Sequence, residues 1–183
     1  MKIERKPQFV KATMGGAALM DALKEKFGEV ILNSEIRERR AGAANDVCGH
    51  DLWLEISMPS FRPFIEDLFT YDFVNFHVIT GDDTGDDVTL IYNLSLFQRD
   101  RGGRIGVSVT VKVPKSNLSI PSIFELLPGS EYSERETRES LGVDFVGLPN
   151  KGLVFLPEDW NEEIKPLRRD SEGPSPDDVR ELS

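Results

Sequence analysis

The chain has 183 residues, a formal net charge of −10, 39% apolar residues and 30% charged residues. That length suits one domain with appendages and can bury a sizeable core. The acidic balance argues against nucleic acid as a partner, because a phosphate backbone is met by cationic surface, and the lack of any run of 18 apolar residues argues against a membrane-spanning helix.

In chain order, the N-terminal "MKIERKPQFVKATMGG" lacks the apolar stretch of a signal peptide. "GGAALMDALKEKFG" sets Ala18, Leu19, Ala22, Leu23 and Phe27 at helical spacing and closes on Gly28. "VILNSEIRER" reads as a strand, and "HDLWLEIS", reached through the loop "RRAGAAND", as another. "MPSFRPFIEDLFT" puts Phe61, Phe64, Ile65, Leu68 and Phe69 on one helical face. "DFVNFHVITGDD" alternates as a strand does. "VTLIYNLSLFQR" and "GRIGVSVTVKVP" flank the hairpin signal "DRGG" and are rich in β-branched residues. The expected class is α+β, a mostly antiparallel sheet with two helices packed on it and an extended C-terminal arm.

After Pro114 the alternation stops. "SIPSIFELLPGSEYSERETRESLG" reads as two short helices split by Pro-Gly. In the second, Ser133 and Glu136 have capping-box spacing, Glu134 and Glu136 suit the first turn, and Gly142 suits a left-handed C-cap. Glu134 and Arg138 stand four apart and can pair for about 0.3 kcal/mol. Beyond this helix, Phe145, Leu148, Phe155, Leu156 and Trp160 fall in proline-broken pieces. The expected division is an α+β domain over 1–114, a segment of short helices and broken strands over 115–160, and an extended or disordered tail over 161–183.

Candidate chemistry is sparse. Cys48 is the single cysteine, which excludes an internal disulfide and fits a reducing cytoplasm. With His50 it offers two soft ligands where a metal site wants three or four. His77, mid-strand, reads as packed or hydrogen-bonded. "GDDTGDD" (Gly81 to Asp87) lacks calcium-loop order and reads as a solvated hairpin tip. "RGGRIG" lies in a hairpin, the wrong context for dinucleotide binding, and no nucleophile elbow is present. No catalytic, cofactor-binding or metal residue is expected.

The stretch "PSIFELLPGSEYSERETRESLGVDFVGLPNKGLVFLPEDW", Pro121 to Trp160, resembles the signature region of the 30-kDa subunit family of respiratory complex I (NADH–quinone oxidoreductase), whose relatives occur in membrane-bound, energy-converting hydrogenases. The pieces that carry the likeness are Pro121-Ser122, Glu134-Arg135-Glu136, Leu141-Gly142, Phe145, Gly147 with Pro149, and Leu156 to Trp160, with "KPLRRD" (Lys165 to Asp170) similar to the family's tail. The resemblance implies a non-catalytic scaffold that binds no cofactor itself. It would dock a large catalytic subunit (hydrogenase-like or 49-kDa-like) and a small iron–sulfur subunit, with iron–sulfur clusters and nickel–iron expected in those partners. It would sit on the cytoplasmic side of the membrane and touch it only through partner subunits. Glu134, Arg135, Glu136, Phe145, Trp160, Arg168 and Arg169 are the expected interface residues, and the segment from Leu156 to about Asp170 is expected to be ordered only by lying across the large subunit. "TRESLG", Gly147-Leu148-Pro149 and "NKGLVF" depart from the quinone-type pattern. They favour the hydrogenase-type branch over a quinone-reducing NADH dehydrogenase. Two other classes stay open, a free soluble binding module and a small hydrolase using paired carboxylates such as Asp82 and Asp86.

Overall fold

A computed structural model of the chain describes residues 13–42, 47–98 and 103–170. The amphipathic stretches form helices where their spacing puts them. α1 (Gly16–Phe27) buries Leu19, Met20 and Leu23, and α2 (Phe61–Leu68) buries Phe61, Phe64, Ile65 and Leu68. Five strands follow the expected runs: β1 (Ile31–Ala41), β2 (Val47–Ile56), β3 (Asn75–Asp83), β4 (Asp87–Leu96) and β5 (Ile105–Pro114). They hydrogen-bond in the order β1-β2-β5-β4-β3. β1 and β2 are antiparallel, whereas β2 and β5 run parallel, Leu52 opposite Val107 and Leu54 opposite Val109. The sheet is therefore mixed. A parallel pair needs a crossover, and α2, β3 and β4 supply it between β2 and β5.

Two compact units share these strands. The first comprises Met1–His77 with Tyr92–Val111, the second Val78–Ile91 with Lys112–Ser183. In the first unit, Leu52, Leu54 and Ile56 of β2, Tyr92, Leu94 and Leu96 of β4, and Ile105, Val107 and Val109 of β5 are buried. Phe61 of α2 meets Tyr92 with ring centroids 4.5 Å apart. The alternate residues of the same strands are mostly polar or small: Asp51, Trp53 and Glu55 on β2, and Gly106, Ser108 and Thr110 on β5. Period-two alternation thus gives one apolar and one polar face.

The second unit contains the tip of the β3–β4 hairpin, the end of β5, and the described residues after it. Its core is Ile79, Val88, Leu90, Val113, Ile120, Ile123, Leu141, Val143 and Phe145. The first of the two short helices expected here is instead a strand and a turn. β6 (Ser119–Pro121) pairs in parallel with β7 (Asp144–Val146), and the Ser122 N–H continues the contact by donating to the Val146 carbonyl at 2.9 Å. α3 (Glu131–Leu141) then ends on Gly142, whose φ of 81° is left-handed and whose N–H donates to the Arg138 carbonyl. Only glycine adopts that conformation without strain.

Candidate functional site

α3 begins at Glu131, so Ser133 lies within its first turn and makes no capping contact; Ser130 occupies the N-cap position, also without a side-chain cap bond. The residues that turn inward are Ser130, Glu134, Thr137 and Leu141, at spacings of four, three and four, with Glu139 beside them. Two of these are acids, Glu134 at 0% and Glu139 at 1% exposure. A buried carboxylate persists only when its oxygens are satisfied.

Glu134 accepts from the Ser122 hydroxyl at 2.5 Å, the Ile123 N–H at 2.8 Å and the Ser130 hydroxyl at 3.3 Å. It thereby fixes the turn after β6. Glu139 accepts the N–H groups of Val154 and Phe155 at 2.7 and 3.0 Å. The cations of α3 hold the same loop through its carbonyls. Arg135 donates to Gly152 and Leu153 at 2.9 and 2.8 Å, and Arg138 to Lys151 at 2.9 Å. The main chain from Lys151 to Phe155 is thus gripped at both polarities by one charged helix.

What this grip presents is apolar. Phe155 is 70% and Tyr132 66% exposed, and Val146 of β7 is also exposed. The Arg135 guanidinium lies 5.4 Å from the centre of the Tyr132 ring, a cation–π contact that links this ring to the loop. Aromatic side chains backed by arginine and held by rigid backbone are the composition of interface anchors.

A second charged cluster fastens the C-terminal segment. Asp83, at the end of β3, is 1% exposed. It accepts from Lys115 Nζ at 2.7–2.8 Å, the Arg169 N–H at 2.9 Å and the Gly85 N–H at 3.1 Å, and Arg168 Nε lies 3.5 Å away. The Lys115 hydrogen bond, then the Arg169 N–H, pull the carboxyl of Asp83 down from 3.8 to about 2. Arg168 also forks onto Asp170, whose carboxyl is pulled down by that guanidinium and by Lys115. The Leu167 N–H donates to the Ser140 carbonyl, and Arg168 to that of Leu141.

Residues 54–177 match the family described as "Respiratory-chain NADH dehydrogenase, 30 Kd subunit". The chain belongs to this family. Among curated relatives, it is 31% identical over 123 residues to the membrane-bound hydrogenase subunit beta of Pyrococcus furiosus, covering 67% of this chain and 70% of the relative. It is 40% identical over 81 residues to an NADH-quinone oxidoreductase subunit of Roseiflexus castenholzii, covering 44% and 43%. Among solved structures, a chain of the membrane-bound sulfane sulfur reductase, an archaeal respiratory membrane complex, superposes with a TM-score of 0.69 at 19% identity over 86% of this chain and 85% of that one. A trypsin-resistant fragment of Nqo5 superposes with a TM-score of 0.55 at 20% identity, over 73% and 97%. Both structures share the fold.

Within this family member the expected interface residues differ in where their side chains lie. Glu134 and Phe145 are 0% exposed and are spent inside the unit, on the β6 turn and in the core. Arg135 and Arg168 are largely committed to carbonyls and carboxylates of the same unit, with side chains 12% and 17% exposed. Glu136 lies half-buried on α3, and Trp160 is half-buried with its Nε1–H on the Ile164 carbonyl at 3.1 Å. Arg169 alone of the set has a broadly exposed side chain, 72%, paired with Asp82 at 3.1 Å. Arg138 pairs with Glu162 at 3.1 Å, not with Glu134, and Arg135 takes the four-residue pair, with Glu131 at 3.6 Å. Of the segment Leu156 to Asp170, expected to be ordered only by lying across the large subunit, the last part makes contacts within its own unit. Residues 167–170 are held by Ser140, Leu141, Lys115 and Asp83 of the same unit. The reason is the burial of Asp83, in a stretch whose sequence predicts a solvated tip. The tail beyond Asp170 lies outside the described residues.

Cys48 and His50 lie on β2 opposite Arg40 and Glu38 of β1. His77 bonds Ser95 at 2.7 Å. Among the described residues no group of three or more His, Cys, Asp or Glu is placed to hold a metal ion, and no helix is long and apolar enough to cross a membrane. Sequence reasoning missed Asp83 and Glu139. For α3 a signal existed: the three-and-four spacing of Ser130, Glu134, Thr137 and Leu141 marks a buried stripe even though three of its members are polar.

Proposed function

We infer that this chain is a non-catalytic scaffold subunit of a complex I-related membrane-bound oxidoreductase of the hydrogenase type. It docks the large catalytic subunit and the small iron–sulfur subunit on the cytoplasmic side, binds no cofactor itself, and meets the membrane only through those partners. The observation that carries this reading is the α3 grip. Two arginines and a buried glutamate immobilise Lys151–Phe155, and the result is an exposed Phe155 beside an exposed Tyr132. Fixing a loop before binding lowers the conformational entropy lost on association. A chain with no partner gains nothing from holding Phe155 in water.

The hydrogenase branch is favoured by the extent of likeness to the hydrogenase subunit beta, 67% of this chain, against 44% for the NADH-quinone oxidoreductase relative. The same scaffold in a quinone-reducing NADH dehydrogenase is the second reading, supported by the higher local identity of 40%. The large subunit meets Phe155, Tyr132 and Arg169 in this account, while Glu134, Arg135 and Phe145 shape the surface from beneath. The test is Tyr132→Asp with Phe155→Asp in the affinity-tagged full chain. The double variant should keep wild-type circular dichroism and lose the large subunit, with its metal content, from the purified complex. Co-purification at wild-type yield refutes the docking surface. A purified wild-type chain that comes alone from membrane extracts refutes the scaffold reading itself.

A further inference from the structure

α3 has 11 residues, a length at which a helix by itself is marginal. The last carbonyls of any helix lack partners within the helix. In α3 the Gly142 N–H takes the Arg138 carbonyl. The Ser140 and Leu141 carbonyls are closed from far downstream. The Leu167 N–H donates to Ser140 at 3.0 Å, and the Arg168 guanidinium donates to Leu141 at 3.3 Å, across 27 positions of sequence. Lys165 lays its stem over Gly142, with Cγ and Cε 3.5 Å from the place a Cβ would take. Lys165 and Arg168 thereby bring positive charge to the negative end of the helix dipole.

The same last turn carries the grip on the loop. Arg138 donates to the Lys151 carbonyl at 2.9 Å and pairs with Glu162 at 3.1 Å. Glu139 accepts the Val154 and Phe155 N–H groups. Residues 138–141 therefore hold the loop and are themselves held by the C-terminal segment. Glu134, a turn earlier, holds the Ile123 N–H at 2.8 Å, away from these contacts in sequence.

The far end of the segment is fastened to the sheet. Asp83, at the end of β3, accepts the Arg169 N–H at 2.9 Å. Lys115 bridges Asp83 and Asp170 at 2.7 and 2.9 Å. Asp170 in turn takes the Arg168 guanidinium in a two-bonded fork at 2.7 and 2.6 Å, which aligns it for the Leu141 carbonyl. Asp83 is 1% exposed, so loss of its donors would strand a buried charge.

We propose that residues 165–170 are a latch that couples the C-terminal segment to the docking loop through the last turn of α3. Fastened to Asp83, the segment caps Ser140 and Leu141 and keeps Arg138 and Glu139 in place to hold Lys151–Phe155. Released, it leaves two carbonyls uncapped, the last turn frays, and Phe155 loses its fixed position. Such a coupling is reciprocal, so a partner seated on Phe155 tightens the segment, and a contact on the segment is felt at Phe155. The use of the loop for docking rests on the scaffold reading; the coupling itself does not.

The experiment is amide hydrogen exchange, read by NMR on the purified full chain, its Arg168→Gln variant and its Asp83→Asn variant. The Leu167 amide reports the latch, Val154 and Phe155 report the loop, and Ile123 reports the start of α3. Both variants should speed exchange at Leu167 and, with it, at Val154 and Phe155 by about 5- to 30-fold, the effect of one or two net hydrogen bonds, with Ile123 within about twofold of wild type. Arg168→Gln leaves Asp83 paired with Lys115, so it decides the matter if Asp83→Asn unfolds. Faster exchange at Leu167 with Val154 and Phe155 unmoved overturns the coupling. Equal acceleration at Ile123 overturns it too, because the whole unit has then loosened. An unmoved Leu167 in both variants removes Asp83 and Arg168 as the latch. No partner is needed for this readout, so it stands or falls separately from the co-purification of the Tyr132 and Phe155 variants.

Discussion

Glu139→Gln tests whether a buried charge on α3 positions the docking loop. The carboxylate accepts two backbone N–H groups, from Val154 at 2.7 Å and Phe155 at 3.0 Å, while 1% exposed. Glutamine keeps the shape but replaces one acceptor oxygen with an NH₂ group that faces a donor. One of the two bonds is lost and the other becomes neutral. A hydrogen bond to a charged group contributes about 1.5–3 kcal/mol net. Opening of the loop should therefore become easier by roughly that amount, which accelerates amide exchange at Val154 and Phe155 about 10- to 100-fold. The global transition should move less, because Phe155 is 70% exposed and its N–H finds water once the loop lifts. Arg135 and Arg138 still hold Lys151 to Leu153. Hydrogen exchange read by mass spectrometry or NMR on the full chain is the assay, with the Leu141 amide in α3 as the internal reference. Unchanged exchange at both amides would refute the grip. Equal acceleration at Leu141 would show instead that Glu139 supports α3 as a whole.

Three further outcomes are expected. Asp83 has a depressed carboxyl, so its contribution to holding Arg169 is complete above its ordinary value of 3.8 and is lost as pH falls through about 2; the Arg169 amide resonance should stay fixed from neutral pH to about 4 and move below it, and a midpoint above that ordinary value would contradict the contact. Gly142→Ala forces a side chain onto φ 81° and should destabilise the chain by about 1 kcal/mol, lowering the melting temperature by about 2–4 °C in calorimetry. Phe61→Ala empties a fully buried ring site against Tyr92 and should cost about 3–5 kcal/mol in denaturant unfolding, with a smaller loss showing that α2 and β4 collapse into the space.

The sequence by itself determined the elements whose period is apolar. Leu19, Leu23, Phe61, Phe64 and Leu68 mark α1 and α2, and alternation from Leu52 to Ile56 and from Val88 to Val113 marks the strands, because burial of one face demands that spacing wherever the chain is regular. Gly142 was equally legible, since a helix end that turns left-handed selects glycine. The signature residues of Pro121 to Trp160 carried the family, and the match over residues 54–177 establishes it. Only the tertiary structure decided the parallel pairing of β2 with β5, which depends on how the crossover through α2, β3 and β4 returns. It alone turned Ser119–Pro121 into a strand, by giving it β7 as a partner, with Glu134 holding the turn that follows. It also decided which charges are inside. Asp83 meets Arg169 across 86 positions of sequence, and Glu139 meets Val154 across 15. A carboxylate carries no mark of its own burial, because burial becomes tolerable only when distant donors arrive, and their arrival is a property of the folded chain.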